Sequence, residues 1–206
     1  MKKTAAVLVM MMALVCAGFS ARADDGSSNE AKHAKGRAAG GNFSVGAGPA
    51  GNIFVVDSTP ELGQGVGGYL YFDYRWSPQF STQFGVLLTT QDGTGPSNGD
   101  DGVILMGVPT FDLKFYILSN PSRWDPYGLI GMGIYAITKG SAGNGTRGVG
   151  IGADLGLGTD YYVSERFSVG LAGVFRSIGI ITSMNAHNNG TALFPFTMMG
   201  NIAYHF

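Results

Sequence analysis

The segment Gly152–Arg176 constrains the fold of this chain more than any other stretch. Two runs of alternating residues flank a short polar turn at Val163–Arg166. Apolar side chains occupy one face of each run, and polar side chains or glycine occupy the other. Because successive side chains of a strand point to opposite sides, this pattern predicts a β-hairpin with one apolar face. A sheet in water buries such a face, whereas a membrane barrel turns it toward lipid.

The amino terminus has the features of an export signal. Lys2 and Lys3 precede an uncharged apolar run over residues 4–20, and Ala21-Arg22-Ala23 follows. This order predicts a secretory signal peptide, residues 1–23, that is cleaved after Ala23. We interpret residues 24–41 as a flexible periplasmic segment and residues 42–206 as a single barrel domain.

Composition favours a membrane barrel over a soluble sandwich. Charged residues make up only 13% of the chain, and 34 of its 206 residues are glycine. Without the signal, 10 basic residues stand against 14 acidic ones, so no nucleic-acid partner is predicted. No stretch after the signal has the roughly 20 apolar residues of a spanning helix, so strands would have to cross the membrane. The only cysteine, Cys16, would leave with the signal, and we predict no disulfide.

The chain from residue 42 onward divides into strand-like segments. Eight of them show the alternation, over residues 42–55, 65–76, 79–91, 102–118, 126–137, 148–162, 166–177 and 191–206. Long connections rich in Gly, Asn, Asp and Ser alternate with short ones, as in outer-membrane barrels. We therefore predict an all-β fold, an eight-stranded antiparallel up-and-down transmembrane β-barrel with both termini in the periplasm.

Charged residues indicate which face of each strand points into the lumen. Arg or Lys facing lipid near the midplane costs about 2–4 kcal/mol, so the charged rows should point inward. The predicted lumen network consists of Asp73, Arg75, Asp112, Lys114, Asp154, Asp160 and Arg176. Because side chains can fill the interior of an eight-stranded barrel, we interpret this network as a structural plug of ion pairs. A narrow ion or proton path is the alternative.

Aromatic residues cluster near the short turns, which predicts a periplasmic belt at the membrane surface. The belt comprises Tyr74, Trp76, Phe80, Phe115, Tyr127, Tyr161, Phe167, Tyr204 and Phe206.

The same alternation predicts an apolar lumen in the extracellular half. It points Ile104, Met106 and Val108 of the fourth segment inward. It would add Ile130, Met132 and Ile134 of the fifth segment, whose facing is ambiguous because of its many glycines.

Three further segments carry a resemblance to a known family. They are Val108–Tyr116, Pro126–Tyr135 and the alternating carboxyl terminus Ile202–Phe206. With the hairpin, they make Phe43–Phe206 resemble the small outer-membrane β-barrel superfamily related to OmpA and OmpW. The resemblance implies an integral outer-membrane protein of a Gram-negative-type envelope. It also implies contacts with outer-membrane lipids and lipopolysaccharide, and recognition of the C-terminal strand by the outer-membrane assembly machinery.

The resemblance leaves three roles open. A structural or surface role is our first expectation, and an OmpW-like narrow channel or conduit for small hydrophobic compounds is the alternative. A lipid A-modifying enzyme is the third, since barrel deacylases use a His-x-Ser element, but Asn189 stands two residues after His187. A base without a nucleophile and an orienting acid is not a catalytic set. We therefore predict no catalytic residues, no cofactor and no metal site, and we interpret Asp92, Asp100 and Asp101 as a solvated acidic loop.

Overall fold

The computed structural model describes residues 42–55, 62–93, 103–118, 123–139, 146–181 and 191–206. The predicted signal peptide and periplasmic segment, over residues 1–41, lie outside the described residues. The same holds for His187, Asp100 and Asp101.

Strands make up almost all of the described chain. They are β1 Asn42–Phe54, β2 Leu62–Ser77, β3 Phe80–Gly93, β4 Val103–Tyr116, β5 Trp124–Lys139, β6 Thr146–Tyr162, β7 Phe167–Ile181, β8 Thr191–Leu193 and β9 Pro195–His205. Only Phe194 separates β8 from β9, and the two together form the eighth strand of the barrel. Each predicted segment is found within a few residues of its expected bounds.

The sheet closes on itself. Strands β1 to β7 pair antiparallel with their neighbours in sequence, and β9 pairs with both β7 and β1. The closing pair places Ser44 opposite His205. These pairings confirm the predicted eight-stranded antiparallel barrel. In the part of the chain that the structure describes, no helix is long and apolar enough to span a membrane.

The two ends of the barrel differ in their connections. The connections over residues 78–79, 117–123 and 163–166 join the strands at the end where β1 begins and β9 ends, which we call the terminal end. The opposite end, the loop end, carries the connections over residues 55–61, 94–102, 140–145 and 182–190.

Burial follows the period of two that the hairpin predicts. On β6, Leu155 and Leu157 are 64% and 59% exposed on the outer face, whereas Asp154 is 2% exposed inside. On β7, Leu171 is exposed outside and Arg176 is buried inside. The outer face of the barrel is therefore apolar, and its polar side chains are buried in the lumen.

A β-bulge interrupts this alternation in β4. Against β5, Gly107 pairs with Tyr135 and Thr110 pairs with Gly133, so β4 has one extra residue between these pairs. The pairing with β3 shows the same irregularity. Pro109 lies in the extra stretch, and because proline has no N–H to donate to a ladder it is typical of such bulges.

The bulge reverses the facing of β4 toward the loop end. Leu105 is 1% exposed and points into the lumen, although the sequence pattern placed it outside. The prediction that Ile104, Met106 and Val108 line the lumen is therefore wrong. Val108 is 47% exposed on the outer face, and the other two side chains alternate with buried Leu105.

The expected facing of β5 is wrong as well. Ile130, Met132 and Ile134 are 51%, 61% and 48% exposed on the outer face. The inward row instead contains Tyr127 and Leu129, with glycines beyond them. Glycine has no side chain that could mark a face, so the pattern of this strand did not determine its orientation.

Candidate functional site

The lumen holds the charged side chains that the sequence predicts there. All seven are between 1% and 5% exposed: Asp73, Arg75, Asp112, Lys114, Asp154, Asp160 and Arg176. Contacts divide them into two groups. The terminal cluster contains Asp73, Arg75, Lys114 and Asp160 together with Asp125, and the central cluster contains Asp112, Asp154 and Arg176 together with Tyr135.

Arg75 is the best-paired cation of the terminal cluster. Its Nη1 lies 2.8 Å from Oδ2 of Asp125, which is 0% exposed. The guanidinium stacks 3.7 Å from the centre of the Tyr116 ring and also donates to the carbonyl oxygen of Pro78. Several charge-assisted contacts therefore compensate the loss of water around this buried cation.

Lys114 has a looser environment. Its Nζ lies 4.0 Å from Oδ1 of Asp73, and the same oxygen accepts a 2.8 Å hydrogen bond from the Ser81 hydroxyl. The ammonium also lies 4.6 Å and 5.1 Å from the ring centres of Tyr127 and Tyr71. Aromatic faces attract cations, so these rings supplement the contact with the Asp73 carboxylate.

Tyr135 joins the two charges of the central cluster. Its hydroxyl donates to Asp154, with Oδ1 at 2.8 Å and Oδ2 at 2.7 Å. Nε of Arg176 donates to the Tyr135 hydroxyl at 3.1 Å and lies 3.5 Å from Asp154 Oδ2. Asp112 accepts a long hydrogen bond of 3.5 Å from Gln83.

Sequence reasoning missed Asp125 and Tyr135, which are both 0% exposed. The predicted strand began at residue 126, so Asp125 was left in a connection. The charge of Asp125 could have indicated which face of β5 points into the lumen. If Asp125 points inward, the alternation places Tyr127, Leu129 and Tyr135 inward as well. No comparable signal marked Tyr135 itself.

Tyrosine rings occupy much of the lumen, and glycines on neighbouring strands leave them room. A Cβ at Gly85 would lie 2.6 Å from the Tyr69 ring, and one at Gly152 would lie 2.7 Å from the Tyr135 ring. These distances are too short for any side chain. Several glycines in the barrel wall therefore leave the space that large rings occupy inside the lumen.

Near the loop end, the side of the lumen formed by β4, β5, β7 and β8 is apolar. Leu105, Ile178, Ile180 and Leu193 pack there with Tyr135, and all five are at most 5% exposed. We call these five residues the loop-end cluster.

An uncharged hydrogen-bonded chain lies on other strands of the lumen. Asn52 donates to the Thr89 hydroxyl at 2.7 Å, and Gln91 donates to the same hydroxyl at 2.8 Å. Thr197 donates to the side-chain oxygen of Asn52.

A cavity of about 510 Å³ opens at the terminal end, and we call it the vestibule. Its lining includes Lys114, Asp160, Tyr162, Ser168 and His205. The Ser168 hydroxyl and Nε2 of His205 are 2.9 Å apart, a hydrogen bond that joins β7 to β9.

Within the described residues, no three His, Cys, Asp or Glu side chains converge as they would around a metal ion.

The comparison with known protein families agrees with this architecture. Residues 11–191 match the family described as "Outer membrane protein beta-barrel domain". The chain belongs to this family. It is an outer-membrane β-barrel, and its outer face is apolar.

Solved structures of outer-membrane barrels share the fold. The outer membrane protein OprG from Pseudomonas aeruginosa is 17% identical with a TM-score of 0.55, over 81% of this chain and 96% of that one. Ail, the attachment invasion locus protein of Yersinia pestis, is 17% identical with a TM-score of 0.52, over 81% and 99%. Neisserial surface protein A is 14% identical with a TM-score of 0.55, over 80% and 96%. No curated protein matches the chain.

Most residues of the expected aromatic belt lie on the outer face at the terminal end. Of the expected belt, Trp76, Phe115, Phe167 and Phe206 are exposed outside, and Tyr74, Phe80, Tyr161 and Tyr204 are partly exposed. They contact one another across strands: the ring centres of Trp76 and Phe80 are 5.3 Å apart, and those of Phe167 and Tyr204 are 5.2 Å apart.

Tyr127 was wrongly assigned to this belt. It is 2% exposed inside the lumen, because β5 has the opposite facing, and its ring packs 5.6 Å from that of Tyr116. Trp124 and Phe43 are further outer aromatic residues at this end, packed on Tyr161 and Tyr74 respectively.

Proposed function

We propose that this protein is a closed, non-enzymatic barrel with a structural or surface role in the outer membrane. In this arrangement the terminal end faces the periplasm and the loop end faces the outside. The outer face contacts outer-membrane lipids and lipopolysaccharide, and the assembly machinery recognises the terminal strand Pro195–His205.

The main support for this proposal is that side chains fill the lumen. Between the terminal and central clusters, Tyr127, Leu129 and Met199 are 2%, 3% and 3% exposed. Tyr69 and Tyr71 pack in the same cluster of buried side chains, with ring centres 5.5 Å apart. Side chains packed this closely favour a lumen that is closed to water and ions in the described part of the barrel.

Two alternatives have less support from the geometry. A narrow ion path needs charges that are free to exchange partners, whereas Arg75 and Arg176 are each held by a carboxylate and a tyrosine. A conduit for small hydrophobic compounds needs an apolar cavity, whereas the loop-end cluster packs against itself, with Ile178 and Tyr135 at 0% exposure. The lumen therefore favours a closed barrel.

The names of two fold relatives agree with a role at the surface. One is a Neisserial surface protein, and the other is the attachment invasion locus protein of Yersinia pestis. The four connections at the loop end would present this chain to the outside in the same orientation. This orientation is part of the proposal.

Planar-bilayer recordings of the refolded protein test the proposal. We expect no reproducible discrete openings from the natural protein. The double variant Tyr71→Ala/Tyr127→Ala removes two rings from the filled section, and we expect it to conduct. The matched control is Phe84→Ala/Phe111→Ala, which removes an aromatic pair from the lipid face and should stay closed. Discrete openings from the natural protein would overturn the closed-barrel proposal, and heat-modifiable gel migration verifies that each variant is folded.

A further inference from the structure

A depression interrupts the apolar outer face of the barrel on β6 and β7. Ala153 lies in one row with Met132 of β5 and Ser177 of β7, so two small side chains stand side by side on a face that carries mostly large ones. With the residues around them they form a cavity of about 490 Å³, which we call the outer groove. The outer groove lies on the opposite side of the barrel wall from the lumen.

Large apolar side chains form the walls of the outer groove. Ile130 and Met132 line it on the β5 side, Phe175 lines it on the β7 side, and Leu155 lines it toward the terminal end. The ring of Phe175 stacks on that of Phe194, with ring centres 6.3 Å apart, so this wall is supported from the far side of β7. The groove therefore has a floor of small side chains between high apolar walls.

The width of the outer groove indicates what can occupy it. Its walls are on β5 and β7, whose backbones are two strand spacings apart, about 9–10 Å, and the wall side chains narrow this space. A helix is about 10–12 Å across and is too wide. A second barrel would meet the groove with a convex face and could insert only single side chains. An unbranched acyl chain fits lengthwise.

The surroundings of an outer-membrane barrel supply such chains. The chain belongs to an outer-membrane barrel family, and the groove is continuous with its apolar outer face. Between hydrocarbon groups there is no hydrophobic driving force, so van der Waals packing decides which contacts form. An unfilled groove would leave its walls without contacts on one side. A chain that lies in the groove is therefore favoured over one that passes above it.

The position of the groove along the strands indicates which lipid supplies the chain. Ser177 lies closer to Ile181, at the loop end of β7, than to Phe167 at the terminal end. We propose that the outer groove binds one acyl chain of lipid A, the membrane anchor of lipopolysaccharide in the outer leaflet. This assignment rests on the proposed function, in which the loop end faces the outside, and it names the lipid chain that this part of the outer face selects.

The test is native mass spectrometry of the full refolded chain in detergent micelles, with purified lipid A as the probe and phosphatidylethanolamine for comparison. We expect the natural protein to retain one lipid A molecule at a detergent concentration that removes phosphatidylethanolamine. Ala153→Leu fills the floor of the groove. It should lower the affinity for lipid A by about tenfold or more, because the leucine side chain takes the place of the acyl chain.

The matched control Ala47→Leu makes the same change on the outer face of β1, outside the groove, and should leave the affinity unchanged. Heat-modifiable gel migration verifies that each variant is folded. If Ala153→Leu does not refold, Phe175→Ala, which removes a wall of the groove, provides the same decision. An affinity for lipid A that these groove variants leave unchanged rejects the groove as the binding site.

Other results would overturn the assignment in different ways. Equal or preferred retention of phosphatidylethanolamine that Ala153→Leu abolishes would place the groove in a phospholipid leaflet, against the proposed orientation. A dimer of the natural protein that Ala153→Leu dissociates would assign the groove to a second copy. The absence of both lipids from the natural protein would reject lipid binding at the groove. That last result would leave the closed barrel standing, because the bilayer recordings test it separately.

Discussion

The charged part of the lumen and the loop-end cluster are both buried, but different interactions hold them. Arg176 is 1% exposed and depends on Asp154 and Tyr135, whereas Ile178, two residues further along the same strand, is 0% exposed among apolar side chains. The charged part is specific, because each ion there needs a particular partner. The loop-end cluster requires only apolar volume. The two regions should therefore respond differently to the same substitution.

The largest expected difference comes from methionine at these two positions of β7. Arg176→Met leaves Asp154 in the lumen without its cation, and removal of one partner of a buried pair costs about 3–5 kcal/mol. Ile178→Met conserves apolar volume and should cost less than about 1.5 kcal/mol. Urea unfolding of the refolded proteins in lipid vesicles measures both free energies of unfolding.

A double variant sharpens this result. Asp154→Asn/Arg176→Met removes both charges of the pair, so it should recover part of the stability that Arg176→Met alone loses. Equal losses for Arg176→Met and Ile178→Met would show that the charged part is not held by its ion pairs.

The second prediction concerns which side chains of β5 point outward. Met132→Arg places a cation on the outer face near the middle of the strand and should lower the free energy of unfolding by about 2–4 kcal/mol. Val163→Arg, at the exposed turn of the terminal end, should cost only about 0–1 kcal/mol. The same urea titration compares them. If Met132 faced the lumen, as its sequence pattern suggested, the cost would not depend on the depth of the residue in the membrane.

The sequence predicted the strands, the closure and the charged lumen residues because each of these has a local signal. A charge such as Asp154 or Asp160 marks the inward face of its strand, and the alternation then places the whole hairpin. The loop-end half of β4 lacks such a signal, since Ile104, Leu105 and Met106 are all apolar and fit either face. Pro109 was the sign that the alternation is interrupted there, but its effect on facing depends on how the neighbouring strands pair.

The sequence pattern could not predict which residues contact each other across the lumen, for a different reason. The hydrogen bond between Arg176 and Tyr135 and the ion pair between Arg75 and Asp125 join strands that are not neighbours, so the heights of these residues depend on the register of every strand between them. An alternating pattern specifies a face but not a height. The vestibule therefore became visible only once the strands were paired.

The smallest effect is expected at the terminal end, where the polar lumen meets solvent. The Ser168 hydroxyl and His205 Nε2 form the hydrogen bond that joins β7 to β9 inside the vestibule. Ser168→Ala removes this bond and should lower the free energy of unfolding by about 0.5–1.5 kcal/mol, as for a typical hydrogen bond. Ser177→Ala is the matched control on the same strand, because Ser177 is exposed on the outer face and its loss should have little effect. Equal unfolding free energies for the two variants would show that solvent in the vestibule replaces the contact with His205. The polar end of the lumen would then tolerate the loss of a single hydrogen-bond partner, whereas the Arg176–Asp154 pair does not.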